Sequence, residues 1–317
     1  MSDSTSHSGT WFVDEREFEE LYRECSNWNR WGAQDQRGTL NFVTPDVTAR
    51  AAARVTSGVT VSCAHVLDTA VASDNPKPVA HRMTRLPWPD RTGWGNTEFA
   101  ADAIEVHCHG DAHSHVDALC HVGYRGKLYN GWPSTSVTER GARFGGLEHL
   151  ADGIVSRGVL LDIPRLRGVE WLAPGETVDT AELTRAAEAE GVELKSGDVL
   201  LVRTGHARRR AVEGPWNAAD EKAGLHPRAM LWVKQQQVAA VGFDGDGDAQ
   251  PHPCGAITAP IHVLGINSMG LTFFDALNLD ALAEQCAAVY TWEFLFVASP
   301  LAIVGATGSV VNPTAIF

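Results

Sequence analysis

Residues 157–204 read RGVLLDIPRLRGVEWLAPGETVDTAELTRAAEAEGVELKSGDVLLVRT. The opening RGVLLDI (157–163) and the closing DVLLVRT (198–204) are short apolar runs of strand length. Between them, Asp179 or Thr180 starts a helix over 180–190. The alternation continues downstream. A helix is expected over 227–237 with Pro227 near its start, then a strand over 238–244 (VAAVGFD) and a short helix near 259–266. A strand at 270–274, a helix at 279–287 and a strand at 292–298 follow. Alternating strands and helices predict an α/β fold whose sheet is at least partly parallel or mixed. Upstream, residues 14–25 place Phe18, Leu21, Tyr22 and Cys25 on one helical face. Thr44 caps a second helix, with Pro45 at its first position, running to about Val55 and closed by Gly58. Residues 59–66 alternate as a strand. Residues 68–100, rich in Pro, Trp, Asn and Asp, read as a long loop or hairpin arm that covers a site, and the strand signal returns at Ala103. We read 1–13 as a loose tail and 14–317 as a single domain, although length alone suggests about two.

The composition narrows the function classes. With 26 Lys and Arg against 39 Asp and Glu, the net charge is −13. Nucleic acid needs a basic footprint, which the chain lacks overall. No Lys or Arg follows Lys234, so a site built from the last 83 residues has no such side chain to hold phosphate. The six cysteines (25, 63, 108, 120, 254 and 286) form no CxxC pair and read as mostly buried, reduced thiols of a cytoplasmic protein. The polar start MSDSTSHSGTW has no apolar core of a signal peptide. The longest apolar stretch, 287–305, is interrupted by Glu293 and Pro300, so no membrane span is expected.

Chemistry concentrates in residues 105–121, EVHCHGDAHSHVDALCH. Five of the 13 histidines lie here: His107, His109, His113, His115 and His121. Asp111 and Asp117 sit among them. Imidazole and carboxylate together suit Zn²⁺, Mn²⁺ or Fe²⁺. On an extended strand, residues two apart share a face. His113, His115 and Asp117 therefore project to one side, and so do His107, His109 and Asp111. If a helix begins near Asp117, His121 stacks one turn above it.

The run HSHVDALCHVGYRGKLYNG (113–131) resembles the cyclase family of metal-dependent hydrolases, which includes bacterial kynurenine formamidase and isatin hydrolase. The family signature is H-x-G-T-H-x-D-x-x-x-H, and His115, Asp117 and His121 match its last three functional positions. GATGSVVNP (305–313) and WGAQDQRGTLNFVTP (31–45) extend the resemblance over nearly the whole chain. The signature's first His falls on Asp111 and its Gly on His113, so either of these two residues takes the place of the first ligand. We favour His113. The family's distal His and Glu resemble His262 and Asp275, the latter shorter by one methylene. The resemblance implies a mixed, curled, barrel-like sheet with flanking helices. It also implies one or two divalent cations, Zn²⁺ or Mn²⁺, held by His113, His115, Asp117, His262 and Asp275, with Asp117 bridging if there are two. His121 would shuttle the proton. A small cyclic or aromatic substrate and a homodimer or homotetramer are also implied.

FDGDGDAQPHP (243–253) fails as a calcium loop, since position six is Ala249 and position twelve is Gly255. Asp244 and Asp248 read as residues behind the site or as turn formers. There is no nucleophile elbow, phosphate loop or HExxH motif. Trp88, Trp94 and Trp132, in loop-like segments, are candidates to stack on a flat substrate, or serve as packing anchors.

The expected reaction is hydrolysis of a cyclic amide, lactone or aryl-formamide. A non-hydrolytic cyclase or dehydratase using the same site is the alternative. His115-Val116-Asp117 with His262 also formally matches the facial triad of an iron oxygenase, but no basic residue follows to hold a cosubstrate carboxylate.

Overall fold

The computed structural model describes residues 11–87, 97–255 and 257–317. Nine strands build one sheet: β1 (Thr60–Ser62), β2 (His115–Asp117), β3 (Ile154–Asp162), β4 (Val199–Arg203), β5 (Ala240–Phe243), β6 (Thr272–Asp275), β7 (Glu293–Ala298), β8 (Gly308–Val310) and β9 (Thr314–Ile316). Their spatial order is β1-β9-β7-β3-β4-β5-β6-β2-β8. The centre, β3 to β6, is parallel, and every pairing outside it is antiparallel. The sheet curls into a half-barrel with helices alongside, as the family resemblance implies, and it has the α/β, partly parallel character that the alternation of elements predicted.

Local chemistry sets the helix starts. Asp14 accepts from the Glu17 amide at the head of α1 (Glu15–Cys25), and Thr44 from the Val47 amide at the head of α2 (Pro45–Ala52). Asp179 accepts from the Glu182 amide at the head of α3 (Thr180–Ala189). Residues 68–100 and the strand signal after them resolve in part into a hairpin of Ala80–Arg85 with Ala101–Glu105. The expected strand at 59–66 shrinks to three residues because only Thr60–Ser62 find partners, on β9. The helix α4 (His206–Glu213) and the C-terminal strands β8 and β9 had no expectation.

The central strands are buried on both faces, which is why they read as unbroken apolar runs. On β3, Val159 and Leu161 join one core cluster with Phe18, Val241, Phe273 and Leu264. Leu160 faces the other, with Phe274, Phe294 and Phe296. Phe273 and Phe274 on β6 split the same way, so Asp275 shares the face of Phe273. Among the described residues no helix is long and apolar enough to cross a membrane.

Candidate metal centre

Strands β2 and β6 run antiparallel, with His115 opposite Asp275 and Asp117 opposite Phe273. Cross-strand neighbours on one face lie about 5 Å apart at Cβ. Accordingly His115 Nε2 sits 3.9 Å from Asp275 Oδ2 and 3.6 Å from Asp117 Oδ1. A helical segment, Pro260–His262 continued by Val263–Met269, brings His262 across the end of these strands. Its Nε2 lies 3.3 Å from Asp275 Oδ2 and 3.7 Å from Asp117 Oδ2, with the ring on Phe273. The loop before β2 delivers His109, whose Nδ1 is 2.9 Å from Asp117 Oδ1. The turn after β2 delivers His121, whose Nε2 is 3.7 Å from Asp117 Oδ2. Four imidazoles thus ring one buried carboxylate, and Asp117 belongs to two groups able to hold an ion: His109, His115 and Asp117, and Asp117, His262 and Asp275.

The donor chemistry fits a divalent cation. Both oxygens of Asp117 and Oδ1 of Asp275 are buried without a hydrogen-bond partner, and carboxylates left so are costly unless an ion or donor meets them. The close approach of His109 to Asp117 is off the hydrogen-bond axis, so it leaves both atoms unsatisfied. The imidazoles are held from behind. His115 Nδ1 donates to the His113 carbonyl at 2.7 Å, and His262 Nδ1 donates to Asp248 at 2.6 Å. His109 Nε2 shares a hydrogen bond of 3.0 Å with Thr307 Oγ1. Tying one nitrogen selects the tautomer that turns the other's lone pair toward the carboxylates, the usual arrangement behind metal-binding histidines. Nitrogen and carboxylate donors in this mixture suit Zn²⁺ or Mn²⁺.

His121 differs. Among the described residues no hydrogen bond holds its ring. It stacks on His109, ring centroids 3.8 Å apart and planes at 4°, and its side chain is 30% exposed. Burial, outweighing the attraction of Asp117, pushes its pKa down to about 4. At pH 7 it is therefore a neutral imidazole.

The other groups titrate in the opposite sense. Burial alone would lower His109, but the Asp117 carboxylate wins and lifts it to about 10. Burial would likewise lower His262, which Asp248 and Asp275 hold well above the ordinary value. Burial would raise Asp117, yet the surrounding imidazoles keep it below the usual carboxylate range. At pH 7, before a cation binds, His109 and His262 hold protons that a cation must displace. Affinity should therefore rise with pH, with net proton release at pH 7. Calorimetry in buffers of different ionisation enthalpy reads this directly. A pH-independent affinity with no proton release would contradict the assigned ligands.

The loop after β5 carries three aspartates with three tasks. Asp244 accepts from the amides of Thr204, Gly205 and His206 at the head of α4. Asp246 pairs with Lys222. Asp248 accepts from the Ile261 amide and orients His262. Gly308 on β8 is required by His109: a Cβ there would lie 2.6 Å from His109 Cε1 and 2.7 Å from the Val116 carbonyl oxygen.

The structure brings together His115, Asp117, His262 and Asp275, with His121 beside them. It does not bring His113 into the set. Strand β2 begins only at His115, so the two-residue alternation does not extend back to 113. The His113 ring is buried with both nitrogens unpartnered, outside both groups. Asp111, the other candidate, is held by Lys222 at 2.9 Å. Instead His109, which the chain turns back through Gly110 at φ 135°, stands beside Asp117. The sequence signal for His109 was its membership of the histidine cluster, without a spacing rule to single it out. His121 reaches Asp117 by a turn, its amide donating to the Ala118 carbonyl, not by a helix. Trp132 stacks on Phe144 at 3.8 Å and packs against the second core cluster. Trp88 and Trp94 lie outside the described residues.

A family model described as "Putative cyclase" matches residues 61–247. Among solved structures, a novel cyclase superposes with TM-score 0.81 and 29% identity, covering 92% of this chain and all of that one. An isatin hydrolase bound to the product analogue thioisatinate gives TM-score 0.56 at 20% identity, covering 81% of this chain and 92% of that one. A predicted metal-dependent hydrolase from Bacillus stearothermophilus gives 0.52 at 16%, covering 82% and 98%. The last two likenesses are of fold. No curated protein matches the chain in sequence.

Proposed function

The chain belongs to the cyclase family, and on that premise we propose that it is a metal-dependent hydrolase opening a cyclic amide or lactone, or cleaving an aryl-formamide. The residues holding the cation are His109, His115, Asp117, His262 and Asp275, with Asp117 shared if two ions bind. When bound, the cation supplies a Lewis acid that polarises a carbonyl and lowers the pKa of water to about 7. His121 takes the proton released as water adds to the carbonyl carbon. It returns that proton to the nitrogen or oxygen that departs when the C–N or C–O bond breaks, leaving a carboxylate and an amine or alcohol. His115, His262 and His109 stay oriented through the His113 carbonyl, Asp248 and Thr307.

One observation carries this reading: a buried carboxylate with unpartnered oxygens, ringed by three pinned imidazoles and one unpinned neutral one. Two donor groups that share Asp117 favour it over a single three-ligand oxygenase triad. Ring closure, as in a cyclase, uses the same residues in reverse. Exposed Met83 and Ile104 on the 80–105 hairpin favour a homodimer or homotetramer, and six free thiols fit a cytoplasmic setting.

The test is elemental analysis of protein purified without chelator, then a screen of cyclic amides, lactones and aryl-formamides with and without chelator. We expect about one or two Zn or Mn per chain and turnover that chelation removes and the cation restores. No bound metal after Zn²⁺ and Mn²⁺ are offered, or turnover indifferent to chelation, would sink the proposal.

A further inference from the structure

The loop that delivers His109 is anchored in an unusual way. Among the described residues no backbone–backbone hydrogen bond holds residues 106–113. Its ties to the rest of the protein are made by side chains: His109 to Thr307 and Asp117, and Asp111 to Lys222. The joint between His109 and Asp111 is Gly110, at a φ of 135° that other residues rarely adopt. A ligand on such a segment loses much conformational freedom when it binds, unless something else already holds the loop.

Lys222 is suited to that task. Its side chain is 4% exposed, and its ammonium lies between Asp111 and Asp246. A buried ammonium is tolerable only with such partners, and the pairing in turn fixes both carboxylates in place. The Lys222 backbone is itself locked to the loop after β5, exchanging both hydrogen bonds with Gln250. Asp246 stands two residues before Asp248, the carboxylate that orients His262. One ammonium therefore joins the segment carrying His109 to the segment holding His262.

We propose that the Asp111–Lys222–Asp246 bridge is a positioning device for the metal centre: it presets His109 by clamping its otherwise unanchored loop to the loop that orients His262. This rests on the reading that the cluster binds a divalent cation.

The test uses the full chain and Co²⁺ as the probe, reading affinity by titration, the visible ligand-field spectrum, and Tm without cation. Asp111→Ala frees the loop yet leaves Lys222 paired with Asp246. We expect Co²⁺ affinity to fall by about 10–100-fold, as for other residues that hold ligands from behind. The spectrum should change while the cation-free Tm stays near wild type. Asp111→Asn, which keeps an acceptor for the ammonium, should fall between the two. Wild-type affinity and spectrum in Asp111→Ala would overturn the inference, as would a lowered Tm with unchanged affinity, the mark of a merely structural pair. Failure of the wild-type protein itself to bind Co²⁺ would instead overturn the metal-centre reading, and this inference with it.

Discussion

His121→Ala should lower kcat by about 10²–10⁴-fold on whichever cyclic amide, lactone or aryl-formamide is turned over, while the cation stays bound. The reasoning starts from what each imidazole touches. His109, His115 and His262 each have one nitrogen engaged by a partner behind the ring. His121 has none among the described residues, and it is held neutral by burial, its pKa pushed down to about 4. A group that must accept and then release a proton needs an available lone pair and some freedom of motion. A ligand's lone pair is committed to its ion, and its ring is held still from behind. Removing His121 takes away the proton acceptor without removing a ligand. Elemental analysis and kcat on the same preparation decide the matter. Unchanged turnover would remove His121 from the mechanism, and loss of the cation would recast it as a ligand.

Asp117→Asn should abolish stable cation binding, a loss larger than the roughly 10–100-fold typical for residues that merely orient ligands. Asp117 is the shared member of both ion-holding groups, is 1% exposed, and faces four imidazoles. The amide keeps the shape but removes the negative charge and replaces one ligating oxygen with an NH₂ group that cannot coordinate a cation. The same variant has a second readout that needs no cation. His109 is raised to about 10 because the Asp117 carboxylate outweighs the lowering effect of burial. With that charge gone, the strongest upward influence is removed, and His109 should titrate well below 10. NMR titration of the ring protons follows this, and a His109 that still titrates near 10 would show that another group sets its charge. Retention of metal in Asp117→Asn would contradict the assignment of Asp117 as the shared ligand.

The α/β alternation, the helix caps at Asp14, Thr44 and Asp179, and the His115-x-Asp117 pair are legible in the order of the amino acids alone. Each depends on residues within a few positions of one another. An apolar run declares a strand buried on both faces, a cap closes over three residues, and side chains two apart on a strand share a face. His262 and Asp275 are legible only through family resemblance, because their approach to Asp117 depends on the antiparallel pairing of β2 with β6, segments far apart in the chain. That Phe144 lies against Trp132 is likewise not legible locally, because nothing near either residue in sequence marks the stacking.

The choice among His109, Asp111 and His113 marks the boundary. All three sit at odd positions in one histidine-rich run, and alternation treats them alike as long as the chain is taken to be extended. Between the strand ending at Glu105 and the one starting at His115, no backbone ladder sets the chain's path. That path is set by Thr307, 198 residues away, by Lys222, 111 residues away, and by the space left at Gly308. Local periodicity determines which residues share a face inside a strand. Where a ligand sits on a loop, contacts made across the fold decide which residue reaches the ion.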